Sequence, residues 1–334
     1  MNKPFNLPFF ALGFRTFFAL SGLSALILMV LWRSIYDGSI EMDNYFTPNV
    51  WHAHEMLLGY TVAVITGFLL TAVRNWTGEQ TLSGESLAGL ALLWVYGRFL
   101  PFYSELLADE FIAGVDFLFL PVLIISLLKP IRKAKYARGY AFIAMLSIMT
   151  LGNGLIHTDI LGWTDNTAWL GFQLVIALII TMILVMAGRV FPFFTEKGLS
   201  GILLIRSPLL DKLSVISALS VFSLSIMGVS GHILALAALF AVMTNSLRLS
   251  HWVVLRVWFV PLLWVLHIGY AWIILGFILT LFSAYNMIAA TLALHAFTMG
   301  GIGVITLGMM ARVSLGHTGR ALKASQAMAI AFAL

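Results

Sequence analysis

What most constrains this chain is a series of ten apolar runs, most near twenty residues long, separated by short links that hold most of its charged groups. An α-helix needs about 20 apolar residues to cross the hydrocarbon of a bilayer. Lipid offers the backbone no hydrogen-bond partners, so a spanning segment must be a helix or part of a closed barrel. The runs are too long for barrel strands, and the fold class is therefore all-α, a polytopic transmembrane helix bundle. Composition agrees: 61% of the 334 residues are hydrophobic and 10% charged, against roughly 25% charged in soluble proteins.

The expected spans are Phe9–Leu31, Val50–Ala72, Ser86–Leu107, Phe111–Leu128, Tyr136–Ile156, Ala168–Arg189, Leu213–Val229, His232–Leu247, Pro261–Phe282 and Met287–Met310. The first lacks a small-residue cleavage site and reads as a retained span, not a leader. After Arg312–Lys323 an apolar run from Ala324 to Leu334 is too short to span. The chain thus reads as ten complete spans plus an eleventh helix cut within its length, with an even total of twelve if it continued.

Lys129, Arg132, Lys133, Lys135 and Arg138 crowd the link after the fourth span. Basic residues mark cytoplasmic links, and propagation from this one puts the N-terminus, with Lys3 and Arg15, inside. Arg74, then Lys197, Arg206 and Lys212, then Arg248 and Arg256, and finally Arg312, Arg320 and Lys323 fall on the same side. The acidic links with Asp37, Glu41 and Asp43, and with Glu105, Asp109 and Glu110, fall outside. No linker, low-complexity run or internal repeat divides the sequence, so residues 1–334 read as one membrane domain. Within Phe191–Asp211 the spacing predicts a helix ending at Pro192 and a short interfacial helix after it.

The net charge of +5 comes from these short basic links and does not indicate nucleic acid. There is no cysteine, which excludes disulfides, thiolate metal sites, iron–sulfur clusters and haem attached through Cys-x-x-Cys-His. Any metal must be held by His, Met, carboxylate or backbone oxygen. No phosphate loop, nucleotide fingerprint or hydrolase elbow is present, and catalytic residues stay unassigned.

Ionisable groups inside a spanning helix are costly and mark function by default. Trp51-His52-Ala53-His54-Glu55-Met56 opens the second span with three of them. Two residues apart on a helix, His52 and His54 point about 200° apart, so they suit two sites, or one site and a support, better than one metal. His157 closes the fifth span on the same outer side, and His295 sits in the tenth, about 12 Å from its outer end at 1.5 Å per residue. These four histidines are the candidate ligands for haem or metal. Glu55, three residues from His52, is a candidate supporting acceptor or proton carrier, and Met299, one turn past His295, a candidate supporting ligand. His267 and Tyr270 share a face of the ninth span as a second, weaker pair of cofactor candidates. Each has a plainer role: His52 and His54 as interfacial residues beside Trp51, His157 as a helix-end cation, His295 as a hydrogen-bond donor between helices. Arg98, in the third span, either snorkels or pairs with an outer carboxylate.

The run Trp51-His52-Ala53-His54-Glu55-Met56 resembles the opening motif of the NnrS family of bacterial membrane proteins. Asn75-Trp76-Thr77-Gly78, Gly188-Arg189-Val190-Phe191-Pro192-Phe193-Phe194-Thr195, Leu266-His267-Ile268-Gly269-Tyr270-Ala271-Trp272, His295-Ala296-Phe297-Thr298 and Arg312-Val313-Ser314-Leu315-Gly316-His317-Thr318-Gly319-Arg320 continue the likeness in order. The resemblance implies a twelve-helix protein of the bacterial cytoplasmic (inner) membrane, containing haem and copper and tied to the nitric oxide response and denitrification. The layout is also similar to the catalytic subunit of haem–copper oxidases, in which helices two and ten supply axial histidines. This chain lacks their adjacent His-His pair and their Tyr-containing copper motif.

The reading that follows is a haem b protein with haem between the second and tenth spans. His295 is one axial ligand and His52 or His54 the other, while the remaining member of that pair joins His157 at copper. Its partners are the lipid bilayer, nitric oxide or a nitrosylated iron species, and an electron donor left open. The competing readings are a histidine-lined metal or proton transporter, and an assembly partner of a respiratory enzyme.

Overall fold

The computed structural model describes residues 7–333, which hold helices and no strand. Lys3, counted above towards a cytoplasmic N-terminus, and Leu334 lie outside the described residues. The ten runs fold as α1 Gly13–Tyr36, α2 Pro48–Thr77, α3 Glu85–Phe99, α4 Asp109–Lys133, α5 Gly139–Ile160, α6 Thr167–Gly198, α7 Pro208–Ile226, α8 His232–Ser250, α9 Pro261–Ser283 and α10 Ala290–His317. A short α11, Gln326–Ala333, follows. Pro48, Pro208 and Pro261 open their helices, where a missing N–H costs nothing. Ser207 caps α7 by accepting from the Leu210 amide.

Among the described residues nine helices are long and apolar enough to cross a membrane. The exception is α3. The run expected at Ser86–Leu107 is α-helical only to Phe99 and then tightens into a 3-10 turn, Leu100–Tyr103, at Pro101. Proline cannot donate to the preceding turn, which ends the α-helix there.

Three further expectations are corrected. α6 does not stop at Pro192 but runs through it to Gly198; a membrane helix tolerates an interior proline when neighbouring groups satisfy the freed carbonyl. No interfacial helix forms in Phe191–Asp211, where residues 199–207 are turn and extended link. Arg248 and Arg312, assigned to links by their charge, lie inside α8 and α10 and are 2% and 3% exposed. Charge alone marks a side of the membrane; it does not show that a helix continues past the basic residue.

Threonines inside the helices return their hydroxyls to the backbone, as Thr66 does to Val62, Thr181 to Ala177 and Thr280 to Gly276. That lets polar side chains sit in an apolar bundle without a partner helix. Many large apolar side chains, such as Leu26, Val30, Ile125 and Leu236, face outwards, as lipid contact requires.

The fold divides within α6 into two compact units, Met1–Val175 and Ile176–Leu334. In the first, α1 packs along α2, and α4 packs against α3 and α5. The link between α1 and α2 folds back over the unit: Tyr45 and Phe46 are buried, and the Tyr45 amide donates to the Pro101 carbonyl at 2.9 Å. In the second unit, α9 packs against α8 and α10, and α7 against α8.

Contrary to the sequence reading, an internal repeat is present. Each unit holds a 3-10 turn, Pro8–Phe10 or Leu255–Phe259, then a long helix, α1 or α9, packed on a helix broken by a π segment. The π segments are Glu55–Thr61, directly after His54, and Ala296–Gly303, directly after His295. At one constant spacing along the chain, His54 corresponds to His295, Gly59 to Gly300, Gly67 to Gly308, and Thr77-Gly78 to Thr318-Gly319. Gly78 and Gly319 both adopt left-handed φ, 71° and 69°, a conformation glycine takes without steric cost. The next helices open at Glu85 and Gln326, again at that spacing.

Candidate functional site

The first unit buries a cluster of charged and polar side chains in its apolar interior. The π segment and its flanking helix present His54 and Glu55 on the buried side of α2, at 0% and 1% exposure. His54 Nδ1 lies 3.3 Å from Glu55 Oε1, and its Nε2 lies 3.2 Å from both Asp116 Oδ2 on α4 and Asn153 Oδ1 on α5. Asp116 Oδ2 also lies 3.0 Å from His157 Nε2 and accepts from Asn153 Nδ2 at 3.0 Å. Arg98 reaches in from α3, with Nη1 3.0 Å from Glu55 Oε1 and Nη2 paired with Asp116 Oδ1. Phe46 covers the imidazoles, its ring centroid 4.6 Å from that of His54.

Two glycines make the cluster possible. A Cβ on Gly59 would stand 2.7 Å from Arg98 Nη1 and 2.9 Å from Glu55 Oε2. One on Gly97 would stand 2.9 Å from Asp116 Oδ1. The π segment leaves the Gly59 carbonyl to accept from Trp94 Nε1 at 3.1 Å.

Arg98 and both ring nitrogens of His54 face the oxygens of Glu55 and Asp116, so the buried carboxylates are paired, and a metal ion held by His54 would take the place of its proton towards Asp116. Glu55 Oε2 is also buried with no hydrogen-bond partner. One ligand atom each from His54, Asp116 and His157 lie within 4.8 Å of one another, a spacing able to hold a metal ion. Outside the helices, Tyr45 OH sits 3.1 Å from His157 Nδ1. That contact orients the ring so that Nε2 faces Asp116, the supporting role that outer partners play around metal-binding histidines. Burial and the carboxylates of Asp109, Asp116 and Glu110 push the Tyr45 phenol up, which keeps it protonated.

His52 takes the opposite direction, as its spacing from His54 predicts. Its ring stacks on Trp32 at 4.1 Å between centroids and 13° between planes.

In the second unit His295 stands on the wall of an open, largely apolar cavity of about 860 Å³. Trp258, Trp264, Trp272, Met299 and Gly300 share that wall. Small-molecule and cofactor sites typically run to about 300–1,000 Å³, mostly apolar with a few placed polar groups. His295 Nδ1 lies 2.8 Å from the Thr291 carbonyl. As a carbonyl can only accept, this nitrogen carries the proton, leaving Nε2 with a lone pair. Met299 is on the same wall and 74% exposed. Gly300 is packed against Trp272, with no room for a side chain between them.

A family model described as NnrS protein matches residues 8–334. The chain belongs to the NnrS family. No curated protein and no solved structure matches it.

The haem and copper that the resemblance implies meet donors of the type each takes. An apolar slot flanked by tryptophans and holding one imidazole with a free Nε2 suits a haem. Two imidazoles and a carboxylate, with no thiolate, suit copper or zinc. His267, by contrast, has both ring nitrogens facing backbone carbonyls, Leu263 at 2.9 Å and Trp252 at 3.3 Å. Tyr270 donates to Asn245 Oδ1 at 2.7 Å and receives Arg248 Nη1 at 3.1 Å. Tyr270 thereby belongs to a polar clamp of Asp211, Ser214, Asn245 and Arg248 that joins α7, α8 and α9 of the NnrS chain.

Sequence reasoning missed Asp116 and Asn153. Asp116 was legible: it is the one carboxylate within the apolar run Phe111–Leu128, and the rule that singled out Glu55 applies to it equally. Asn153 gave no such signal, since an amide costs a membrane helix less than a charge. Arg98 pairs with carboxylates, one of the two roles expected for it, and its partners are Glu55 and Asp116.

Proposed function

We propose that this NnrS-family chain is an integral haem b protein of the bacterial inner membrane that also holds copper, and that it acts in the response to nitric oxide. The observation that carries the reading is the direction of His295. Its Nδ1 is engaged by Thr291 O, and its ring stands in a tryptophan-flanked cavity large enough for a flat macrocycle. His295 would hold the haem iron through Nε2, and His54, His157 and Asp116 would hold copper. When bound, a haem iron supplies a coordination position for a diatomic gas. The protein's own residues fix the imidazole, line the cavity with Trp264 and Trp272, and balance charge around His54 with Arg98 and Glu55.

The same reading takes α3 as a tenth crossing. Its 15 residues and the following 3-10 turn, at 1.5 and 2.0 Å per residue, reach about 30 Å, enough for the hydrocarbon core. It places the N-terminus in the cytoplasm, with nitric oxide or a nitrosylated iron species as ligand and an external electron donor as partner.

The test is the optical spectrum and metal content of the purified protein. The expected result is a Soret band at about one haem per chain, with copper. A colourless, metal-free preparation that stays so after addition of haemin and copper(I) would contradict it. Metal- or proton-driven flux in liposomes without haem would instead support a transporter.

A further inference from the structure

The repeat shows that His54 and His295 are the same position in two copies of one motif. Each is the last residue before a π segment, each is followed at the same distance by a glycine, Gly59 or Gly300, and each helix ends in Thr-Gly. Packing follows the same plan: a Cβ on Gly67 would meet Phe17 and Phe18 of α1, and one on Gly308 would meet Val265 and Leu266 of α9. A π segment carries an extra residue in its turn and so resets the direction of the side chains before it, by about 100° for one residue at 3.6 residues per turn. Such segments are rare and concentrate at functional sites. Two of them, each directly after an intramembrane histidine, are hard to reconcile with packing alone.

We propose that the chain carries two separate ligand sites of common origin, one in each unit, each aimed by its own π segment and each able to fill without the other. The inference rests on the haem and copper reading for the identity of the ligands, but the existence of two sites rests on the repeat. The copies have diverged in opposite directions. In the first unit the neighbours of the histidine are Glu55, Arg98, Asp116, Asn153 and His157, a charged set that selects a cation. In the second unit His295 instead shares the wall of one cavity with Trp264, Trp272, Met299 and Gly300, an apolar set that selects a flat hydrophobic ligand. Glu55 corresponds to Ala296, the residue after His295, so the charge beside the first histidine has no counterpart beside the second. The histidines of α2 and α10 therefore serve different ligands.

The experiment titrates detergent-purified full chain with haemin and, separately, copper(I), in wild type, His54→Ala, Asp116→Asn and His295→Ala. The readouts are the Soret band and bound copper by mass spectrometry. His295→Ala is expected to weaken haemin binding by more than about ten-fold and to keep wild-type copper. His54→Ala and Asp116→Asn are expected to do the reverse. Each variant's retained ligand also reports that it folds. One variant losing both ligands would mean a single shared centre, and His54→Ala keeping wild-type copper would mean that the first cluster is only structural; either overturns the inference. Wild type that takes no haemin overturns the haem reading alone, and copper(I) then decides. Two equivalents, one lost with each histidine, support two sites, and a single equivalent lost with His54 overturns them.

Discussion

Asp116 Oδ2 lies 3.0 Å from His157 Nε2, which joins α4 to α5 where His54 arrives from α2 with its own Nε2 3.2 Å from the same oxygen. One carboxylate oxygen between two imidazoles, all within an apolar bundle, is the relationship on which the first unit's chemistry turns. Asp116→Asn keeps the shape of the side chain and removes its charge. It is expected to lower copper affinity by about ten-fold or more, read by competition with a chelator. Unchanged affinity would assign the cluster to structure.

Tyr45 reaches this site from the link between α1 and α2 and holds His157 through Nδ1 at 3.1 Å. Tyr45→Phe removes that hydrogen bond while keeping most of the ring packing against Phe46. Loss of an outer partner of a metal-binding histidine costs roughly 10–100-fold in affinity, and that is the expected effect on copper. Haem content in the same protein should not change.

Gly59 offers a test that involves no ligand. An alanine there would bring its methyl carbon to 2.7 Å from Arg98 Nη1 and 2.9 Å from Glu55 Oε2. Because Arg98 is tied to both Glu55 and Asp116, it cannot yield freely. Overpacking of this kind costs roughly 1–3 kcal/mol, so Gly59→Ala should lower Tm measurably. Gly22→Ala, where nothing stands within 4 Å, should be neutral or slightly stabilising by helix propensity.

In the second unit the clamp around Arg248 predicts a graded series. Its Nε is 2.8 Å from Asp211 Oδ1, and its Nη1 donates to Ser214 and Tyr270. Removing one partner of a buried ion pair costs roughly 3–5 kcal/mol; Asp211 is 42% exposed on its side chain, so Arg248→Met should fall below that range. Tyr270→Phe removes a single hydroxyl from the network and should cost less, about 1–2 kcal/mol. Thermal unfolding of the two variants should rank them in that order. The reverse order would mean that Tyr270, not the ion pair, organises the clamp.

Much of this was legible in the sequence, and what was not has particular causes. The apolar runs place the helices because lipid forces backbone pairing within each segment, and the opposed directions of His52 and His54 follow from helix geometry alone. Trp32 against His52 and Asp116 against His54 confirm that opposition. The π segments were hidden because an extra residue in a helical turn leaves the hydropathy pattern almost unchanged. The repeat was hidden with them: its landmarks are glycines and a histidine, while the apolar positions between them vary freely in lipid and in packed interiors alike. Arg248 and Arg312 were misplaced for a related reason. A basic residue at a helix end marks the side of the membrane whether it faces water or, as here, turns inwards to Asp211 or to the ring of Phe194, 3.9 Å from the Arg312 guanidinium carbon.

In the proposed function His295 Nε2 would hold a haem iron in the cavity lined by Trp264 and Trp272. Absorbance of purified His295→Gly before and after addition of imidazole measures this. The Soret band should fall to a small fraction of wild type and recover as imidazole fills the space left by the missing side chain. A His295→Gly protein with the full wild-type band, unmoved by imidazole, would contradict it.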